Sequence, residues 1–138
     1  MAEQICRSSE ETELAGSGLA ATLARGDLLL LEGELGAGKT TFVRGLARGL
    51  GCREQVQSPT FQLVRIYHGN VQLAHVDLYR LERTEDLSEL GLDELLDQGV
   101  VVVEWGDRLD LKYPHTRRIA FLPAGGPASR DHRRLVFR

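Results

Sequence analysis

Two four-residue apolar runs stand out in the pattern of hydrophobic and polar positions, Leu28-Leu29-Leu30-Leu31 and Val100-Val101-Val102-Val103, each with a glycine shortly before it and a glutamate directly after it. Runs of that length, apolar on both sides of the pleat, predict strands buried on two faces, as in parallel sheets covered by helices above and below. Ahead of the leucines, Ser8-Ser9-Glu10-Glu11 fits a capping box, and Leu14, Leu19, Ala20 and Leu23 follow at roughly helical spacing. A helix is expected there, broken by Gly26-Asp27. After the leucines, Phe42, Val43, Leu46, Ala47 and Leu50 recur at helical spacing, and Gly49 and Gly51 close that segment as C-terminal breakers do.

Farther on, Phe61 to Tyr67 and Val71 to Tyr79 are rich in β-branched and aromatic residues and flank His68-Gly69-Asn70, which predicts an antiparallel hairpin and therefore a mixed sheet. The acidic, leucine-rich segment from Thr84 to Leu96 reads as two short helices interrupted near Gly91. Ile119 to Leu122 and Leu135 to Phe137 read as edge strands, separated by a PAGGPASRD loop too rich in Pro and Gly for regular structure. No internal repeat is present.

Composition sharpens this picture in three ways. At 138 residues, 42% hydrophobic and 27% charged, the chain is expected to be a single domain, residues 1–138, with its own core. No apolar run approaches the ~20 residues of a membrane span and the N-terminus lacks a secretion-signal layout, so the reading is cytoplasmic with no membrane partner. Cys6 and Cys52 stand far apart without metal-ligand spacing and read as reduced thiols. Charge is unevenly spread: the net −3 divides into −8 up to Glu104 and +5 from Trp105 onward. The basic tail either touches RNA or an acidic partner protein, or simply solvates a sheet edge, which is the default for surface arginine.

The chemistry lies between the leucine run and the second helix. Gly33 to Thr40, GELGAGKT, matches the phosphate-binding pattern G-x-x-x-x-G-K-[ST] in the strand, loop and helix context that gives the pattern its meaning. Gly33, Gly36 and Gly38 permit backbone angles closed to other residues and let the N-H groups around Glu34, Leu35 and Ala37 face an anion. Lys39 supplies a mobile charge for the β- and γ-phosphates, the Thr40 hydroxyl suits a Mg2+ shell, and Thr41 can donate to a phosphate. The fold class that follows is α/β, a P-loop NTPase-like three-layer sandwich with a mixed, mostly parallel central sheet.

A phosphate-bound Mg2+ also needs a carboxylate, normally at the C-terminal end of a neighbouring apolar strand. Glu104, after the valine run, is the first candidate; Asp77, after Leu73-Ala74-His75-Val76, is the second. Thr60, in Ser58-Pro59-Thr60-Phe61, occupies the place of a γ-phosphate-sensing loop, although Ser-Pro-Thr also makes an ordinary turn. The [NT]-K-x-D element of guanine recognition is absent, and Lys39 and Lys112 are the only lysines, so ATP is the expected nucleotide. Trp105 is expected in or beside the core, and the four histidines, 68, 75, 115 and 132, suggest no constellation.

Taken together, GELGAGKTTFVRGLARGLG, SPTF, HVDLYRL, GLDELL and VEWGDRL resemble the TsaE family of bacterial tRNA threonylcarbamoyladenosine biosynthesis ATPases, from about Ser9 to Leu109. The resemblance implies a small Mg2+-dependent ATPase acting with TsaD-like and TsaB-like proteins, which attach threonylcarbamoyl to adenosine 37 of tRNAs reading codons that begin with A. It further implies a phosphate loop from Glu34 to Thr41, Mg2+ on Thr40 and Glu104, a switch-like loop at Thr60, an activity-related acid at Asp77, and Thr12 near the nucleotide base. A small-molecule kinase and a nucleotide-dependent binding module are the competing readings of the same loop.

Overall fold

The computed structural model describes residues 2–33, 38–56, 64–78, 91–105, 113–124 and 132–138. In chain order the elements are β1 (Ala2–Cys6), α1 (Ser9–Ala20), β2 (Leu28–Glu32), α2 (Lys39–Gly49), β3 (Val64–Tyr67), β4 (Gln72–Asp77), α3 (Leu92–Gln98), β5 (Gly99–Glu104), β6 (Thr116–Pro123) and β7 (Arg133–Phe137). The strands form one sheet in the order β1-β7-β6-β2-β5-β4-β3. Its centre, β6-β2-β5-β4, is parallel, and the pairs at both margins, β3-β4, β6-β7 and β1-β7, are antiparallel.

The two apolar runs lie side by side, with Leu28 opposite Val101 and Leu31 opposite Glu104. Alternation along the pleat sends Leu29, Leu31, Val100 and Val102 to one face, against α1 and α2, and Leu28, Leu30, Val101 and Val103 to the other, against α3. This is the expected three-layer α/β sandwich. The hairpin is present as β3 and β4, with Val64 opposite Val76, while its outer ends at 61–63 and 79 lie outside the described residues. Of the two short helices expected between Thr84 and Leu96, the part after Gly91 is α3; residues 84–90 lie outside the described residues.

Three expectations change. Neither β6 nor β7 is an edge: β6 lies between β2 and β7, with Ile119 and Phe121 each 1% exposed, and β1 covers β7. The arginines around β6 and β7 suggested an edge, but they are held locally: Arg118 and Arg138 on Glu32, Arg134 on Glu3, and Arg117 on Thr22. Second, β1 was not anticipated. Of AEQIC only Cys6 is buried, so this strand is held by its backbone ladder to β7, which leaves almost no hydrophobic pattern to read.

Third, α1 begins as expected, with Ser8 Oγ accepting from the Glu11 N-H, and of the expected stripe Ala20 and Leu23 are buried and Leu19 packs against the core, but Leu14 does not join them. Leu14 is 68% exposed, and the buried residues are Thr12, Gly16 and Ala20 at intervals of four. Small residues face α2 because the two backbones touch. A Cβ on Gly16 would meet the Phe42 carbonyl, one on Gly45 would run into the Glu13 carbonyl, and one on Gly49 would overlap the Ala20 methyl. Gly45→Ala is therefore expected to cost about 1–3 kcal/mol or more, since neither helix can yield without moving backbone. Gly18→Ala, where an added Cβ meets nothing within 4 Å, is expected to gain up to about 1 kcal/mol. Thermal denaturation of the two variants checks both signs.

Candidate functional site

Because side chains alternate along a strand, the rows Val100-Val102-Glu104 and Leu73-His75-Asp77 run up the same face of neighbouring parallel strands and end together, Asp77 paired in register with Glu104. Each row is apolar until its last polar residues. Beside them β2 ends at Glu32, and after Gly33, at φ 143°, the described chain resumes at Gly38, at φ 92°. Gly38 caps α2, whose first turn holds no acid, so the positive end of this helix faces the C-terminal ends of the strands without a neutralising side chain of its own.

Lys39 and Thr40, the first residues of α2, point to that edge. Lys39 is only 4% exposed, and its Nζ donates to the Gly33 carbonyl at 2.6 Å while lying 3.4 Å from the centroid of the Trp105 ring. The carbonyl and the aromatic face both attract a cation, and they hold the amine at the strand ends. The Thr40 hydroxyl donates to the Glu104 carboxylate, 3.1 Å from Oε2 and 3.3 Å from Oε1. Trp105 reaches the lysine because its backbone turns left-handed, φ 68°, straight after Glu104; a non-glycine residue held there stores on the order of 1–3 kcal/mol.

The sheet thus brings Lys39, Thr40 and Glu104 together, with Asp77 on the adjoining strand. Glu32, the other strand-end acid, is committed to Arg118 and Arg138, which leaves Glu104 as the carboxylate beside Thr40. A hydroxyl and a carboxylate side by side are hard oxygen donors of the kind Mg2+ selects, and two protein ligands suit an ion that keeps waters and phosphate oxygens. Among the described residues no group of three or more His, Cys, Asp or Glu forms a self-contained metal cage. The Thr40 and Glu104 oxygens by themselves fit a metal that takes its remaining ligands from elsewhere.

Thr12 borders the same place by its methyl group: Cγ2 stands 3.7 Å from where a Gly38 Cβ would be, while its hydroxyl donates to the Ser8 carbonyl at 3.2 Å. Thr41 follows in α2. Glu34, Leu35, Gly36, Ala37 and Thr60 lie outside the described residues. Two residues near the site carried no expectation. Arg133, on β7, runs its Cγ 3.7 Å and Nε 3.8 Å from the same Gly38 position. His75 is fully buried, and its Nε2 lies 2.5 Å from Glu104 Oε2. A signal for His75 existed: it shares the pleat row of Leu73, a core position, and a histidine in such a row needs a polar partner. Nothing local marks Arg133, some 95 positions beyond Gly38 in the sequence.

Elsewhere, Cys6 is buried and Cys52 half-buried, both unbridged, and burial together with the Glu54 charge pushes the Cys52 thiol up to about 11. Among the described residues no helix is long and apolar enough to cross a membrane.

Known proteins match this arrangement. Residues 6–129 fit the sequence profile of the family described as threonylcarbamoyl adenosine biosynthesis protein TsaE, so the likeness extends past Leu109, where the motif blocks end. The tRNA threonylcarbamoyladenosine biosynthesis protein TsaE of Treponema pallidum is 43% identical over 80% of this chain and 82% of its own. That of Bacillus subtilis is 42% identical over 93% of this chain and 79% of its own. The crystal structure of Bacillus subtilis YdiB superposes with a TM-score of 0.80 at 37% identity, covering 99% of this chain and 83% of its own.

Proposed function

The chain belongs to the TsaE family of threonylcarbamoyl adenosine biosynthesis proteins, and from that premise we propose that it binds and hydrolyses ATP with Mg2+ as the accessory ATPase of tRNA threonylcarbamoyladenosine synthesis. The observation that carries the ATPase reading is the meeting of Lys39, Thr40 and Glu104 at the ends of β2 and β5. Lys39 would exchange the Gly33 carbonyl and the Trp105 face for phosphate oxygens, and the attraction it loses to the aromatic ring it regains from the anion. Thr40 and Glu104 would hold Mg2+, which when bound neutralises charge on the phosphates as the leaving oxygen departs. Thr60 and Asp77 are assigned to the approach of the attacking water and the γ-phosphate, and Thr12 to the nucleotide side of the loop.

The partners in this reading are TsaD-like and TsaB-like proteins. It is tested by purifying the protein with and without them and comparing ATP turnover, alongside mass spectrometry of tRNA from cells depleted of it. Turnover is expected to rise on adding the partners, and threonylcarbamoyladenosine to fall on depletion. Unchanged modification after complete depletion would overturn the assignment. Phosphate appearing on a metabolite instead of in water would favour a kinase.

A further inference from the structure

We propose that His75 is the positioning residue of Glu104: its Nε2-H holds one carboxylate oxygen so that the carboxylate is set for a metal before the metal arrives. This deepens the Mg2+ reading of Glu104 and rests on it. Four observations carry it. His75 is 0% exposed in the row between Leu73 and Asp77, so its ring has no freedom to serve solvent or a diffusing ligand directly. Its Nε2 contacts Glu104 Oε2 at 2.5 Å, from the sheet side. The Thr40 hydroxyl reaches the same carboxylate from α2. Finally, Nδ1 is buried without a hydrogen-bond partner.

The orphan nitrogen decides between a structural and a functional role. An ionised carboxylate is acceptor-only, so against it Nε2 is the donor, while Nδ1 stays buried with no hydrogen-bond partner. Leaving such a group unsatisfied costs on the order of 1–3 kcal/mol. A position selected for packing would hold Leu or Val, as its neighbours do. What histidine adds is a donor at the length and angle that a rigid ring gives, on a strand clamped between β3 and β5. A carboxylate fixed by a buried donor loses little freedom on taking a metal, and such supporting partners typically carry 10–100-fold in metal affinity.

The experiment is Mn2+ titration, followed by electron paramagnetic resonance, of the full chain with saturating ADP, for His75→Leu, His75→Gln and Glu104→Gln beside the parent. Metal-free ADP affinity and thermal melting are measured on the same samples. His75→Leu is expected to bind Mn2+ about 10–100-fold more weakly, with metal-free ADP affinity unchanged; the melts show that each variant is folded, since leucine removes both the orphan nitrogen and one donor to the buried Glu104 carboxylate. His75→Gln, which returns an N-H near the position of Nε2, is expected to recover most of the loss. Parent-like Mn2+ affinity in His75→Leu, or no recovery in a folded His75→Gln, overturns the proposal. Glu104→Gln separates the layers: if it too binds Mn2+ like the parent, the metal reading of Glu104 falls, whereas its loss beside an unaffected His75→Leu removes the positioning role alone.

Discussion

Lys39→Ala is expected to lower ATP affinity on the order of 100-fold and to abolish threonylcarbamoyladenosine formation in cells carrying only that variant. The ammonium is 4% exposed and already held at the strand ends by the Gly33 carbonyl and the Trp105 ring. It therefore exchanges a neutral acceptor and an aromatic face for anionic oxygens, and charge-assisted bonds are roughly twice as strong as neutral ones. Alanine leaves the helix N-terminus and the glycine backbone in place but removes the only cation that the described residues bring to this point of the loop from α2. Calorimetric titration with ATP measures the loss, and the far-ultraviolet circular dichroism is expected to stay that of the parent. Full affinity with full tRNA modification would mean that this loop is not the working site.

Glu104→Ala is expected to divide the ATPase cycle differently. Metal-free nucleotide binding should change little, while Mg2+-dependent hydrolysis in the presence of the partner proteins falls by more than about 100-fold, the scale of several kcal/mol that a correctly held metal contributes. The fold pays as well, because both the Thr40 hydroxyl and the buried His75 Nε2 lose their acceptor. An unsatisfied buried donor costs about 1–3 kcal/mol, so the melting temperature should drop by several degrees. Hydrolysis at the parent rate would move the metal role to Asp77, which sits in register with Glu104 one strand away.

These two outcomes also bear on how the site is divided between chain segments. Lys39 and Thr40 come from one motif, and their spacing was readable because a phosphate loop is a local object: strand, glycines and helix follow one another within a few residues. Glu104 was legible for a related reason, since an acid ending a four-valine run belongs at the C-terminal margin of a buried parallel strand. Asp77 could be proposed in the same way, but whether it stood beside Glu104 depended on which strands became neighbours. His75 went unread. Its partner is 29 positions away, and only the pairing of β4 with β5 turns a scattered histidine into a contact with a strand-end acid.

The helices repeat the lesson. Capping of α1 by Ser8 is a contact over three residues and was visible in the sequence. Its buried face was not, because close approach to α2 makes Gly16 and Gly45 the interface and turns Leu14 to solvent, against the usual rule that leucine marks the core.

By itself, then, the sequence determined the elements whose physics is local: two strands buried on both faces, the capped first helix, the glycine loop with its lysine and threonine, and through them the family. The tertiary structure alone decided the placement of β6 in the sheet interior, the capture of AEQIC as β1, the stacking of Lys39 on Trp105, and the seating of His75 against Glu104. The reason is physical. Periodicity and capping act over a few residues and leave a readable pattern, whereas strand order and side-chain pairing arise between segments tens of residues apart, where many partners satisfy the same pattern and only packing selects one.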